Sequence, residues 1–111
     1  MSTSGIDQKI PFAERVNITN STLSVELSDG RSISVPLAWY PRLAYGTVSE
    51  RKNYRFIGRG VGIHWEDLDE DISVEGLLWG RPSGESQESF RRWLEMREVR
   101  TVRRTKRKKI A

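Results

Sequence analysis

The side chains best suited to chemistry are concentrated in one stretch, residues 62–71, which contains the only histidine of the chain and five carboxylates. Asp67, Asp69 and Asp71 have the one-three-five spacing of a calcium loop, in which carboxylate oxygens surround a hard cation. The sixth position of such a loop turns sharply and needs Gly, but here it is Ile72. The twelfth needs a bidentate Glu, but here it is Leu78. We therefore expect no calcium site.

His64, with these carboxylates nearby, has the side-chain type needed for a transition-metal site or a general acid–base pair. A second nitrogen ligand would have to come from another chain, because the sequence has no other histidine. On a strand, His64 and Glu66 would share one face while Trp65 takes the other. The interpretation we favour is a half-buried histidine whose ring bonds to the backbone or to a neighbouring carboxylate. No metal and no cofactor is expected.

Other signals of catalysis are missing from the sequence. It has no cysteine, which excludes thiolate chemistry and disulfides and fits a reducing compartment. The glycines of residues 58–62 do not form a dinucleotide fingerprint, and neither a P-loop nor a Gly-x-Ser-x-Gly elbow occurs. The sequence therefore favours a binding protein over an enzyme. With no apolar span and no signal peptide, the expected location is the cytoplasm and no membrane contact is expected.

Charge is divided unevenly along the chain. Residues 86–111 carry ten basic and three acidic side chains, while residues 1–85 carry nine basic and twelve acidic ones. A mildly acidic body is thus followed by a strongly basic tail. The candidate nucleic-acid-binding residues are the cations of this tail: Arg97, Arg100, Arg103, Arg104, Lys106, Arg107, Lys108 and Lys109.

Two interpretations of this tail remain open. If the preceding helix continued, Arg97, Arg100 and Arg104 would align at steps of three and four residues and could follow a nucleic-acid backbone. Alternatively, repulsion among the cations frays the end, which is then a solvated terminus that aids solubility. The tail has too few bulky apolar residues for an amphipathic membrane helix. The acidic run offers a second candidate surface, a face for a basic protein partner formed by Asp67, Asp69, Glu70 and Asp71.

The predicted fold is a small single α+β domain, with two β-hairpins packed against short helices and a C-terminal amphipathic helix. Alternating apolar residues predict strands across residues 16–27, with a break or bulge at Asn20, and again from Ile33. Asp29-Gly30 predicts the turn between them. A second hairpin is expected across residues 54–65. The predicted boundaries are a flexible segment at 1–14, the domain at 15–96 and the basic tail at 97–111.

Helices are expected at residues 37–44 and 86–99, where apolar residues recur at helical spacing. Thr47 or Ser49 is a candidate cap for another helical turn, and Ser73 is a candidate N-cap of a short helix. Among the tryptophans, Trp39, Trp65 and Trp93 are assigned to the core, and the tryptophan at position 79, in a Gly- and Pro-rich loop, is expected to be exposed.

The middle of the chain carries a specific pattern of short motifs. They include Asp-Gly-Arg at 29–31, Glu-Arg-Lys-Asn-Tyr at 50–54, Gly-Ile-His-Trp at 62–65, the run at 68–78 and Gly-Arg-Pro-Ser at 80–83. In order and spacing the chain resembles the bacterial family called domain of unknown function 2442. The resemblance implies a compact α+β fold and supplies no catalytic residue. It also implies a place in small bacterial two-gene modules that resemble toxin–antitoxin pairs.

From the charge division and this resemblance we expect a non-catalytic partner-binding protein, the antitoxin-like member of such a module. Its partner would be a small basic protein encoded nearby, which meets the acidic run while the tail touches DNA or RNA. The alternative is a nucleic-acid-binding protein that acts alone through its basic tail.

Overall fold

The computed structural model describes residues 10–110, and it describes side chains as far as residue 100. Strands and short helices alternate and a long helix follows, so the predicted α+β class is confirmed. No helix among the described residues is long and apolar enough to cross a membrane. The elements are β1 (Ala13–Ile18), β2 (Thr22–Leu27), β3 (Ser32–Pro36), a 3-10 turn (Leu37–Trp39), α1 (Pro41–Tyr45), α2 (Val48–Lys52), β4 (Tyr54–Ile57), β5 (Gly62–Trp65), β6 (Glu70–Ser73), α3 (Val74–Leu78) and α4 (Gln87–Ile110).

The first sheet is an antiparallel meander in the order β1-β2-β3. The predicted β2–β3 hairpin is confirmed, with Gly30 at φ 93° in its turn. The apolar run at 16–27 is two strands, because the chain reverses between Ile18 and Thr22. The Thr19 side chain fixes this reversal by accepting the backbone N–H groups of Ser21 and Thr22. A break, rather than a bulge in one strand, is therefore the correct interpretation of Asn20.

The second sheet is also an antiparallel meander, β4-β5-β6. Its β4–β5 hairpin was predicted, but β6 was not. Only Ile72 of β6 is buried, and the strand otherwise consists of acidic and polar residues. It forms because β5 offers a free edge, on which Ile72 pairs with the fully buried Ile63. Tertiary pairing here overrides a composition that is poor for strands.

The core lies between the inner faces of the two sheets and the short helices. Leu23 and Val25 from β2, and Ile63 and Trp65 from β5, are all completely buried. The indole N–H of Trp65 donates to the Arg51 carbonyl at 3.0 Å, so the buried ring keeps its hydrogen bond. The other two tryptophans predicted for the core differ in burial: Trp93 is buried, and Trp39 is partly buried against the core. Trp79 is 67% exposed, as predicted.

Both predicted caps are present. Thr47 and Glu50 form a complete capping box at the start of α2. The Ser73 hydroxyl accepts the Gly76 N–H at the start of α3. The helix predicted at 37–44 is a 3-10 turn followed by α1, with Pro41 at the first helical position, where its missing N–H costs nothing.

The ends of the domain differ in position from the predicted boundaries. Strand β1 begins at Ala13, which is 4% exposed, inside the segment predicted to be flexible; residues 1–9 of that segment lie outside the described residues. Helix α4 continues to Ile110 rather than ending near Val99. Arg and Lys are good helix formers, whereas each like-charge pair opposes a helix by only about 0.2–0.5 kcal/mol.

Candidate charged surfaces and the helix clamp

The β5–β6 turn divides the acidic run, so its carboxylates do not share one face. Glu66 and Asp67 lie in the turn, and Asp69 completes it with a left-handed φ of 50°. Glu70 and Asp71 belong to β6 and extend along the second sheet. Leu68, in the middle of the turn, is fully buried. Burial of its apolar side chain anchors the turn to the core.

His64 lies across the sheet from Asp71 and is paired on both sides of its ring. Its Nδ1 hydrogen-bonds to the Asp71 carboxylate, and its Nε2 lies 3.3 Å from Glu66. The imidazole side chain is only 15% exposed. This is the half-buried, carboxylate-bonded histidine that the alternation predicts. Among residues 10–100, no three His, Asp or Glu side chains are grouped to hold a metal ion.

The remaining residues predicted as an acidic face also have partners within the domain. Asp67 accepts a hydrogen bond from the Asn53 amide at 2.9 Å. Asp69 is 85% exposed, with one oxygen 3.7 Å from the Arg42 guanidinium. Of the four, Asp69 and Asp67 face the cleft beside α4, whereas Asp71 is bonded to His64. A partner would therefore meet two of these carboxylates together, not four.

Glu70 is partly buried, and this burial raises the pKa of its carboxyl from 4.5 to about 7, although Arg42 opposes the shift. The neighbouring carboxylates of Glu85, Asp71 and Asp69 add to the increase. Because the folded protein binds this proton more tightly than the unfolded chain, the contribution of Glu70 to stability is complete below about pH 4.5. It is lost as the pH rises to about 7.

We predict that Glu70→Gln, which removes this titration, changes the free energy of unfolding more favourably at pH 8 than at pH 4. The difference between its effects at the two pH values should be at most about 3 kcal/mol. Urea unfolding of both proteins from pH 4 to pH 8 measures the difference. Glu95→Gln, which changes an exposed carboxylate on α4, is the control and should leave the pH profile as it is. A Glu70→Gln profile parallel to that of the original protein would contradict the prediction.

Two ion pairs clamp the N-terminal half of α4 to the body, and the first joins Arg42 of α1 to Glu85. The Arg42 Nε is 3.0 Å from each Glu85 oxygen, and its Nη2 bonds the same carboxylate. Glu85 also accepts the Ser89 hydroxyl, which ties the pair to the first turn of α4. The two side chains are only 16% and 10% exposed. The guanidinium beside Glu85 lowers the pKa of that carboxyl, and the pKa of Arg42 is raised in return.

The second pair joins Arg97 of α4 to Glu50 of α2. The two Arg97 Nη atoms each donate to one Glu50 oxygen at 2.9 Å, a bidentate geometry. Both side chains are about one-fifth exposed, and the pair lowers the pKa of Glu50 and raises that of Arg97. The same Glu50 also closes the capping box of α2. Arg97, predicted as a nucleic-acid contact, is thus an ion-pair partner of Glu50 within the domain.

Trp93 lies between the two arginines. The Arg42 and Arg97 guanidinium carbons are 5.2 and 4.7 Å from the centroid of its ring, within the range of cation–π attraction. Phe90 stacks on the same ring, and Tyr45 meets it edge-on with centroids 6.0 Å apart. We call this group of two ion pairs around one indole the helix clamp.

Beyond the clamp, α4 continues to Ile110. Arg100 is exposed and lines a polar cleft of about 530 Å³ with Glu66 and Asp67. The acidic turn and the start of the basic segment, which the sequence separates, therefore face each other across one cleft. The other predicted cations, at 103, 104 and 106–109, are on the helix, and their side chains lie outside the described part of the chain.

Sequence reasoning did not find Arg42, Glu50 and Glu85 as clamp residues. Their partners are 43 to 47 residues away in the chain, and neither pair leaves a periodic signal. The one available signal is at Arg42, which lies next to the apolar Leu43 in a predicted helix, where a partly buried charge needs a partner.

A family model described as "Protein of unknown function (DUF2442)" matches residues 13–83. No curated protein matches the chain. A crystal structure of a protein of unknown function from Rhodospirillum rubrum is similar, with a TM-score of 0.58 and 25% identity over 69% of this chain and 95% of that one. An uncharacterised protein from Chromobacterium violaceum, solved by NMR, has a TM-score of 0.57 and 21% identity over 66% of this chain and 69% of that one. The family match ends before α4 begins.

Proposed function

We propose, for a chain that belongs to the DUF2442 family, a non-catalytic binding function in which the basic C-terminal half of α4 contacts nucleic acid. The observation that supports this proposal most is the continuity of α4 from the helix clamp to Ile110. Seven cations and no acidic side chain occur after Val99, so this end of the helix carries seven positive charges, more than the net charge of +4 of the whole chain.

The spacing of these cations suits a polyanion. Arg100, Arg103, Arg104 and Arg107 follow the i, i+3, i+4, i+7 pattern and share one face of the helix. At 1.5 Å per residue, the helix from Arg100 to Lys109 extends about 14 Å, a length along which a duplex presents several phosphates. Each neutralised phosphate releases counterions, which favours binding at low salt.

The helix clamp gives this segment a fixed direction. A disordered tail would lose conformational freedom on binding, whereas a helix that is already formed loses much less. Because Lys and Arg contacts to phosphate carry no sequence information, the proposed ligand is duplex DNA or RNA without base specificity. This function requires no reactive side chain and no cofactor.

The test is the salt dependence of binding to a fluorescent 20-base-pair DNA duplex, measured by anisotropy. Replacing Arg103 and Arg107 together by Gln should reduce the slope of log affinity against log salt by about 2, because two phosphate contacts are lost. Glutamine keeps helical propensity close to that of arginine.

The matched control replaces Arg91 and Arg92 by Gln, which removes the same charge from the exposed face of the clamped half. This control should keep the original slope. Equal loss from both double variants would mean that net charge alone drives binding, and an unchanged slope in the Arg103–Arg107 variant would refute the proposal.

A second candidate function is binding of a small basic protein, as the antitoxin-like member of a two-gene module. It is favoured by the exposed carboxylates of the β5–β6 turn: Glu66 is 68% and Asp69 85% exposed, and both line the cleft beside α4. Co-expression with the product of the neighbouring gene should give a complex at low salt that Asp67→Asn with Asp69→Asn weakens. Failure of the two proteins to co-purify would exclude this candidate.

A further inference from the structure

We propose that the seam between β1 and β4 is a groove that binds an extended, acidic peptide segment of a partner protein as an added β-strand. This site lies on the two sheets and is independent of the function proposed for α4. It is formed by residues that no catalytic or charge pattern in the sequence singles out.

Both strands that border the seam are sheet edges. The sheet orders are β1-β2-β3 and β4-β5-β6, so within residues 10–110 β1 and β4 each have one side without a strand partner. Such an edge presents backbone N–H and C=O groups that can pair with another chain. Here the groove is lined by residues of β1 and by Tyr54, the first residue of β4.

At one end, a backbone hydrogen bond connects β1 to the second sheet. The Ala13 N–H donates to the Gly60 carbonyl at 2.7 Å, which joins the start of β1 to the β4–β5 turn. A Cβ atom at Gly60 would lie 2.6 Å from the Ala13 oxygen, so this contact requires glycine. Near Ile18 and Tyr54 lies a groove of about 310 Å³.

The backbone of β1 offers hydrogen-bonding groups to this groove. Thr19 donates its N–H to the Thr22 carbonyl, which makes this a hydrogen-bonded pair of the β1–β2 ladder. Because such pairs alternate along an antiparallel ladder, Val16 and Ile18 have N–H and C=O groups that point away from β2. No backbone hydrogen bond joins these two residues to β4 or to another element within residues 10–110.

The side chains of the groove define the chemistry of the occupant. Val16, Ile18, Val48 and Tyr54 supply apolar surface, which suits alternate apolar side chains of an added strand. The polar lining residues include two cations and no carboxylate: Asn17, Thr19, Asn20, Arg51 and Lys52.

The positive charge of this rim is not neutralised by the groove itself. Arg51 donates to the main-chain carbonyls of Leu43 and Ala44, at 2.8 and 2.7 Å, and these neutral partners leave its charge in place. Lys52 is exposed beside it. Charge complementarity therefore selects an acidic segment, whose carboxylates meet the rim while its backbone pairs with β1.

The test uses a fluorescein-labelled seven-residue peptide of alternating valine and glutamate, with binding followed by anisotropy. Val48→Glu places a negative charge, the same sign as the peptide glutamates, on the wall of the groove. Val48 is 60% exposed, so the domain should fold unchanged. We expect this variant and Lys52→Glu each to weaken binding at least tenfold. Val99→Glu, at a position 50% exposed on α4, is the matched control and should bind as the original protein does.

Two further measurements separate strand addition from simple charge attraction. The peptide should slow hydrogen exchange at the Val16 and Ile18 amides, and a peptide with lysine in place of glutamate should bind at least tenfold more weakly. Equal binding of both peptides, unprotected amides, or no binding at millimolar peptide would overturn the proposal. If deleting residues 1–9 strengthened peptide binding, the occupant would be the N-terminal segment of this chain, and the proposal would be overturned. It would also be overturned if the protein self-associated and Val48→Glu abolished that self-association, because the occupant would then be a second copy of this chain.

Discussion

Replacing Trp93 by Ala is expected to lower the free energy of unfolding by about 3–5 kcal/mol. Trp93 is 8% exposed and is the one buried residue among those of α4 whose side chains are described. Its loss removes the surface shared by Phe90, Tyr45 and the guanidinium groups of Arg42 and Arg97. Urea unfolding monitored by circular dichroism gives the change directly.

Trp79→Ala is the matched control, because it removes the same side chain from a position that is 67% exposed. This change should stay within about 0.5 kcal/mol of the original stability, as exposed substitutions usually do. Similar losses from the two tryptophan variants would mean that Trp93 does not dock α4 on the body.

Breaking the Arg42–Glu85 pair is expected to have the second-largest effect, a loss of about 2–3 kcal/mol for Arg42→Ala. The guanidinium donates to both Glu85 oxygens and also to the Asp69 carbonyl at 3.0 Å. Removing it leaves a carboxylate that is only 10% exposed without its cation. A double-mutant cycle with Glu85→Ala should give a coupling energy of at least about 1.5 kcal/mol.

The pair between Arg15 and Glu26 provides the comparison for this cycle. It joins two strands at 3.8 Å, but its side chains are 74% and 53% exposed. Such surface pairs contribute little, so the same cycle there should give a coupling too small to measure. Equal couplings at the two sites would contradict the assignment of Arg42–Glu85 as a partly buried clamp.

Local signals predicted the parts of the fold that depend on local physics. Asp29-Gly30 identified the β2–β3 turn because glycine readily adopts the positive φ that this turn requires. Thr47 and Ser73 identified two helix starts, since their hydroxyls accept backbone N–H groups three residues ahead. The alternation around His64 placed Trp65 in the core and the imidazole among carboxylates.

The features that sequence reasoning missed depend on partners far away in the chain. Strand β6 exists because β5 offers an edge, and its own residues, apart from Ile72, are acidic or polar. Arg97 belongs to the helix clamp because Glu50 lies opposite it in space, 47 residues away. Nothing in the charge run of the tail distinguishes Arg97 from Arg100, although Arg97 is partly buried in an ion pair with Glu50 and Arg100 is exposed at the rim of the same cleft.

The helix clamp connects the fold to the proposed function. Its two ion pairs and the indole between them hold residues 85–97 against α1 and α2, and the same helix continues through the basic segment to Ile110. The acidic turn faces the first of these cations, Arg100, so the charge division of the sequence becomes a spatial one.

The measurement that tests this account most directly compares the full chain with a chain ending at Val99, both titrated with duplex DNA between 50 and 200 mM salt. The shorter chain keeps the helix clamp but loses seven cations, which leaves 12 basic and 15 acidic residues. The account predicts that the full chain loses affinity on the order of 10³-fold across this range and that the shorter chain does not bind. Equal affinities for the two chains, or full-chain binding that is indifferent to salt, would contradict it.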